Sequence, residues 1–174
     1  MNMISTEQQD STIQSNVSLR EYTTFHIGGA AEYFVSVASV EELRHAVAWA
    51  NGKNVPITIL GGGSNVFVDD AGVRGLVIHN KIMGRSVDEQ DETVLLTVGA
   101  GEVFDEVVAC AVANGWWGLE NLSCIPGLVG VTPIQNIGAY GVEIQDCIVS
   151  VDVYDPKMDS SMQIKKEDCM FGYR

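Results

Sequence analysis

Two stretches of this chain could grip a ligand without using charge. Residues 60–65 read LGGGSN, and residues 125–141 read IPGLVGVTPIQNIGAYG, with four glycines and two prolines in seventeen positions. Only Thr132, Gln135, Asn136 and Tyr140 of the longer stretch carry polar side-chain atoms, and no Lys, Arg, His, Asp, Glu or Cys interrupts it. Glycine loses more conformational freedom on folding than any other residue, so a run this dense needs a reason. Successive N–H groups in a glycine-rich turn can converge on an anion. Ser64 and Asn65 add side-chain donors, and Gln135 and Asn136 can read ring edges or phosphate oxygens. LGGGSN is not a P-loop, because no Gly-Lys-Ser/Thr follows. Nor is it the G-x-G-x-x-G fingerprint that opens a helix, since the strand-like VFVDD comes next. A tight turn is the plain alternative for the first stretch, and a buried irregular connection for the second.

Charge narrows the ligand and the means of holding it. The net charge is −13, and no Lys or Arg occurs between Arg85 and Lys157. A nucleic-acid binder needs a basic stripe, so that class is excluded. An anionic dinucleotide held by this span would have to be met by neutral backbone amides in a site that excludes water. No apolar run reaches the roughly 18 residues of a membrane helix, and no membrane partner is expected. Cys110, Cys124, Cys147 and Cys169 have no CxxC or His-rich spacing. No metal site is therefore expected, and the four read as buried free thiols of a reducing cytoplasm. The polar N-terminus lacks a signal-peptide pattern, and residues 1–16 are expected to form a frayed tail.

The elements that must position the two loops are legible in outline. Residues 32–37 (EYFVSV) predict a strand. Ser39 and Glu42 form an S-x-x-E capping box, with Leu43, Ala46, Val47 and Ala50 on one helical face and Gly52 as the expected stop. Residues 56–60 predict a second strand parallel to the first, closing a βαβ unit. Residues 75–80 and 93–100 read as strands, with DEQDE as a turn. A helix carrying Val103, Phe104, Val107, Val108, Ala111 and Val112 is expected to end at Gly115, ahead of the long glycine stretch. Residues 147–155 read as a last strand-like run, and PKMDSS as a turn. Trp116 and Trp117 read as core or interface. His26, His45 and His79 are given no role. The switch near residue 68 is the expected subdomain boundary.

TTFHIGG, LGGGSNVFV, GLENLSCIPGLVGVTPIQNIGAYGVEI and the terminal FGYR together resemble the bacterial UDP-N-acetylenolpyruvoylglucosamine reductase (MurB) family, type I branch, from about Val17 to Arg174. The resemblance implies a mixed α/β (α+β) FAD-binding fold of the vanillyl-alcohol oxidase (PCMH) type. It implies two subdomains, residues 17–68 and 69–174, with FAD between them. Gly61, Gly62, Gly63, Ser64 and Asn65 would wrap the pyrophosphate. Ile125, Pro126, Gly127, Thr132, Gln135, Asn136, Gly138, Ala139 and Tyr140 would line the flavin and its phosphates.

The same resemblance implies a reaction. NADPH would deliver hydride to the flavin, and the flavin to an enolpyruvyl UDP-sugar, in a cytoplasmic step of peptidoglycan synthesis. Arg174 would stabilise the developing enolate charge, with Tyr173 beside the substrate. The family has a further C-terminal substrate-binding domain, which supplies a proton-donating serine and a glutamate and has no counterpart in these residues. The chain alone is therefore expected to turn over poorly. Full-length relatives are expected to be monomers, and self-association is expected to be open to this chain. Val131 stands where relatives often have a small or hydroxylated residue. Cys124 reads as a packing thiol, with no covalent flavin link. Two rival readings are another flavin oxidoreductase of the same fold, and a non-catalytic nucleotide-binding module.

Overall fold

The computed structural model describes residues 12–173, so Arg174 and most of the expected tail lie outside the described residues. Alternation of side chains builds the first sheet. Strands β1 (Gln14–Ser18), β2 (Ala30–Val37), β3 (Ile57–Leu60) and β4 (Val73–Asn80) are arranged in the order β1-β2-β4-β3. Strand β1 is antiparallel to β2, while β2 and β3 both run parallel to β4. Because successive side chains point to opposite faces, Val35, Val37, Leu76 and Ile78 fall on one face. There they pack on Ala46, Val47 and Ala50 of helix α1 (Val40–Lys53). Phe34 and Val77 face the other way, with Leu19, Ala31, Leu60 and Val68. Leu76, Val77 and Ile78 are all buried, as suits a strand with parallel neighbours and both faces covered.

Three expectations change here. The strand β1 begins inside the stretch read as a frayed tail, because residues 14–18 find an open edge on β2. The expected boundary near residue 68 would cut between β3 and β4, which share hydrogen bonds within one sheet. The run VFVDD is not a strand; it is an irregular crossing with Val68 buried and Phe67 76% exposed.

Helix α1 follows its expected start but not its expected stop. Ser39 Oγ accepts from Glu42 N at 3.1 Å, while Glu42 Oε2 accepts from Ala38 N at 2.8 Å, one residue before the cap. Gly52 stays within the helix. Asn54 ends it in the left-handed conformation (φ 56°, ψ 43°), returning its N–H to Ala50 and Asn51. Asparagine adopts that conformation more readily than most residues.

Beyond Asn80 come a hairpin of β5 (Arg85–Gln90) and β6 (Thr93–Val98), helix α2 (Phe104–Ala113) and a four-residue helix α3 (Thr132–Gln135). Two short paired strands follow, β7 (Gly138–Ala139) and β8 (Val142–Glu143), then the hairpin of β9 (Ser150–Asp155) and β10 (Ser160–Lys165). DEQ of the expected turn DEQDE lies inside β5. All six of its residues are exposed, so no buried face marks it as a strand. Helix α2 ends at Asn114, followed by Gly115 as expected.

Phe104 and Val108 of α2 pack with Leu122 and Ile144 under Ile125, Val129 and Ile137 of the long glycine stretch. The β9–β10 hairpin folds back on α1. Tyr154 packs against the α1 core, and Arg44 grips Asp159 through Nε at 2.9 Å and Nη2 at 2.8 Å. The Arg44 bonds, then the Tyr154 hydroxyl, hold the Asp159 carboxyl down to about 2. None of the four cysteines is buried: Cys124 and Cys147 are exposed, and Cys110 and Cys169 are intermediate. Of the tryptophan pair, Trp117 is 90% exposed, so it is not core.

His79 lies at the end of β4, edge-on to Tyr22 with ring centroids 5.1 Å apart and within 3.3 Å of Ser36 Oγ through Nδ1. Burial, and then Lys81, lowers its pKa from the ordinary histidine value. The unfolded chain therefore takes up a proton more readily than the folded one. The associated stability is present above about pH 6.5 and is lost as the pH falls through the folded value. Thermal melts from about pH 7.5 down to about pH 5.5 are expected to give a falling midpoint, with a shallower fall in His79→Gln. Equal slopes in the two proteins would refute this.

Candidate functional site

The two glycine loops meet. The first leaves the C-terminal end of β3, and the second is pinned to the connection between β6 and α2. Phe104 N donates to Gly127 O at 3.0 Å, Val129 N to Glu102 O at 2.9 Å and Gly130 N to Ala100 O at 2.9 Å. Glu102 is itself buried and fixed, accepting from Gly84 N at 2.9 Å and Arg85 Nε at 2.7 Å. Those contacts, the Gly84 amide foremost, hold its carboxyl below the usual range.

A methyl group added at Gly62 would lie 3.5 Å from Leu128 Cγ and 3.7 Å from Gly127 Cα, and one at Gly127 would lie 3.4 Å from Ser64 Oγ. Val131 fills the seam from one side, 3.3 Å from the Cβ position of Gly61 and 3.4 Å from that of Gly127. Gly130 is a packing glycine, since a Cβ there would come within 2.8 Å of Ala100 Cβ.

The first loop rests on a platform that sequence reasoning left without a role. Thr24 N donates to Gly63 O at 3.2 Å, and Gly29 N to Asp69 O at 2.9 Å. The buried Thr23 donates its hydroxyl to Ile27 O at 3.1 Å. These residues belong to TTFHIGG. The cue was the motif's wording, which carries no local periodicity.

On this platform Gly63 turns the chain at φ 68°. Within the described residues, the amides of Gly62, Gly63, Ser64 and Asn65 donate to no acceptor of the protein, and the side chains of Ser64 and Asn65 have no hydrogen-bond partner there. Backbone donors are almost always satisfied in folded proteins, by protein, water or ligand. Consecutive unspent amides on a glycine turn make an anion-binding concavity.

Beside the seam lies a cleft of about 720 Å³. Of the expected residues, Asn65, Ile125, Gln135, Asn136, Gly138 and Tyr173 line it. Pro133, Ile134, Ile137 and residues 169–172 also line it and were not foreseen. Among the described residues, no Lys, Arg or His lines this cleft. A neighbouring recess of about 450 Å³ is lined by Ala139, Tyr140 and the carboxylates Glu143 and Asp146, and shares Asn136, Gly138 and Tyr173 with the first.

Gly61, Gly62, Gly63, Ser64, Pro126, Gly127 and Thr132 are outside both linings. Thr132 is buried, and its hydroxyl is spent on Val129 O at 2.9 Å. Tyr140 and Tyr173 are 88% and 81% exposed. Arg174 follows Tyr173 outside the described residues. Among the described residues, no group of three or more His, Cys, Asp or Glu could hold a metal ion, and no helix is long and apolar enough to cross a membrane.

Comparison with known proteins gives this arrangement its relatives. Residues 31–158 match the FAD binding domain family. The UDP-N-acetylenolpyruvoylglucosamine reductase of Salinispora arenicola is 46% identical over 157 residues, which cover 90% of this chain and 43% of that protein. The protein of the same name from Thermobifida fusca is 45% identical, over 91% of this chain and 45% of its own. The chain thus spans about half the length of these curated relatives.

Among solved structures, UDP-N-acetylenolpyruvylglucosamine reductase (MurB) from Thermus caldophilus superposes with a TM-score of 0.73 at 30% identity, covering 94% of this chain and 56% of that one. p-Cresol methylhydroxylase, at 18% identity and a TM-score of 0.58, shares the fold. The mixed α/β FAD-binding fold of the vanillyl-alcohol oxidase (PCMH) type is the fold of this chain.

Proposed function

This chain belongs to the FAD binding domain family, and we propose that it is the FAD-holding part of an NADPH-dependent UDP-N-acetylenolpyruvoylglucosamine reductase. The observation that carries the reading is the set of unspent amides at residues 62–65, on a turn that adjoins a second glycine loop. A pyrophosphate fits that concavity. Its donors are neutral, and among the described residues no Lys, Arg or His lines the adjoining cleft. Gly62, Gly63, Ser64 and Asn65 would hold the phosphates. Ile125, Gln135, Gly138 and the apolar face of Ile134 would orient the ring system and exclude water.

Bound FAD would relay hydride from NADPH to the enolpyruvyl double bond of the UDP-sugar, giving UDP-N-acetylmuramate for peptidoglycan in the cytoplasm. Tyr173, at the mouth of both recesses, would meet the substrate. Arg174 would carry the guanidinium that stabilises negative charge building at the substrate carboxylate. No residue of this chain is given the proton-donating role. The partner is thus a small anionic nucleotide sugar, and neither a nucleic acid nor a membrane. The whole enzyme is proposed to act as a monomer.

The test is the visible spectrum of the purified chain before and after adding FAD or riboflavin, followed by gel filtration. Flavin bands should survive with FAD and be lost with riboflavin, which has no phosphate. A protein that stays colourless with FAD, or that keeps riboflavin equally well, would overturn the phosphate-nest reading.

A further inference from the structure

We infer that Asp105 is a positioning residue of the flavin cleft: it holds Cys124 in a left-handed conformation, and that conformation sets how Ile125 enters the cleft wall. The hold is read from the chain alone; its meaning for FAD rests on the function proposed above. The chain passes from the buried Leu122 to Gly127 through Ser123, Cys124, Ile125 and Pro126. Cys124 stands at φ 63°, a left-handed conformation that L-residues other than Asn and Asp seldom adopt. Its side chain is exposed, so burial offers little to offset the strain.

Asp105, in the first turn of α2, supplies the offset. Its Oδ1 accepts from Cys124 N at 2.6 Å and from Ser123 Oγ at 3.0 Å, so one carboxylate oxygen fixes two successive residues. A hydrogen bond to an ionised acceptor is roughly twice as strong as a neutral one. The residue before Asp105 grips the far end of the same turn, where Phe104 N donates to Gly127 O at 3.0 Å. The first turn of α2 thus clasps residues 123–127 at both ends, with a side chain at one and a backbone amide at the other. Ile125 lies between the two clasps. It packs on the core of Phe104, Val108 and Leu122, and it also lines the cleft. With Leu122 and Gly127 pinned, a change of Cys124 to negative φ must move Ile125.

The experiment has two arms, both on the 174-residue chain. In the ligand-free protein the intraresidue Hα–HN Overhauser effect of Cys124 should be strong, because positive φ brings those two hydrogens close. It should weaken in Asp105→Ala and persist in Asp105→Asn, whose carboxamide oxygen still accepts. In the second arm FAD is titrated. Without the bond the turn falls back toward the conformations that a Cβ prefers, and apparent affinity drops with the competent fraction, by about tenfold in Asp105→Ala. Asp105→Asn should stay within about threefold of the parent. Cys124→Gly removes the preference against the left-handed region, so the double variant Asp105→Ala/Cys124→Gly should regain the parent's affinity to within about threefold. A carboxylate that acted through its charge would be replaced neither by an amide nor by a glycine at another position. Should Asp105→Ala fail to fold, Cys124→Val, whose β-branch disfavours positive φ, should lose the Overhauser effect and weaken FAD in its place. An unchanged Overhauser effect in Asp105→Ala would overturn the hold. A double variant no better than Asp105→Ala would overturn the positioning role. Failure of the unmodified chain to bind FAD would instead refute the proposed function, and the Overhauser arm would then decide alone whether Asp105 holds Cys124.

Discussion

Gly63→Ala is expected to destabilise the chain severely, whether or not any ligand is present. A Cβ at Gly63 would lie 1.9 Å from Tyr22 O and 2.9 Å from Thr23 Cα, and both atoms are backbone of the platform that carries the loop. Nothing there is the movable end of a side chain. The residue also sits at φ 68°, a left-handed conformation that costs an L-residue about 1–2 kcal/mol. Forcing atoms into a packed site adds about 1–3 kcal/mol. The sum, about 2–5 kcal/mol, is a large share of the stability of an ordinary domain. Denaturant melts of Gly63→Ala should show that loss or fail to give a folded baseline. A variant as stable as the parent would mean that the loop and the 22–24 platform move apart at no cost.

Gly62→Asp is expected to do the reverse: keep the fold and abolish the ligand site. Gly62 is exposed, its φ lies outside the left-handed region, and a Cβ there would meet only ordinary contacts with Leu128 and Gly127. The carboxylate would stand at the mouth of the amide concavity. Two like charges about 4 Å apart near a protein surface repel by about 4 kcal/mol before screening. FAD should therefore bind roughly 100-fold more weakly or worse, with a melting temperature close to the parent's. Part of the loss should be recovered at about 1 M salt, where the Debye length is about 3 Å. FAD affinity unchanged in Gly62→Asp would place the phosphates away from residues 62–65 and sink the nest. Between them, the two neighbouring glycines separate a backbone that the fold requires from a backbone that the ligand requires.

What the sequence disclosed follows from how local each cause is. Helices α1 and α2 announce themselves through a cap and an apolar stripe, and β2 and β6 through β-branched alternation. Strand β5 is exposed along its whole length, so its pairing with β6 leaves no mark in hydropathy. The place of β4 between β2 and β3 depends on partners more than a dozen residues away, so a βαβ reading gives the strands but not their order. The end of α1 passed from Gly52 to Asn54 because it is Asn54, not the glycine, that takes the left-handed cap conformation. At the site, the glycine loops could be read by composition. The spent side chains could not. Asn136 looks like a ligand donor until Gly172, 36 positions away, is found to use one of its hydrogens.

The position of β4 also bears on how the protein is made. Strands β2 and β3 leave the ribosome before β4, yet they share no hydrogen bonds and stand one strand's width apart. A nascent chain that has not reached Val73 lacks the strand that joins them, which leaves an unfilled slot between their pairing edges and the apolar face of α1 without Leu76 and Ile78. Arrival of residues 73–80 fills the slot, and that event also fixes the β3 end from which the amide-rich turn emerges. Until then the slot presents two unpaired edges to any extended segment nearby, which makes that interval of translation the one most exposed to mispairing.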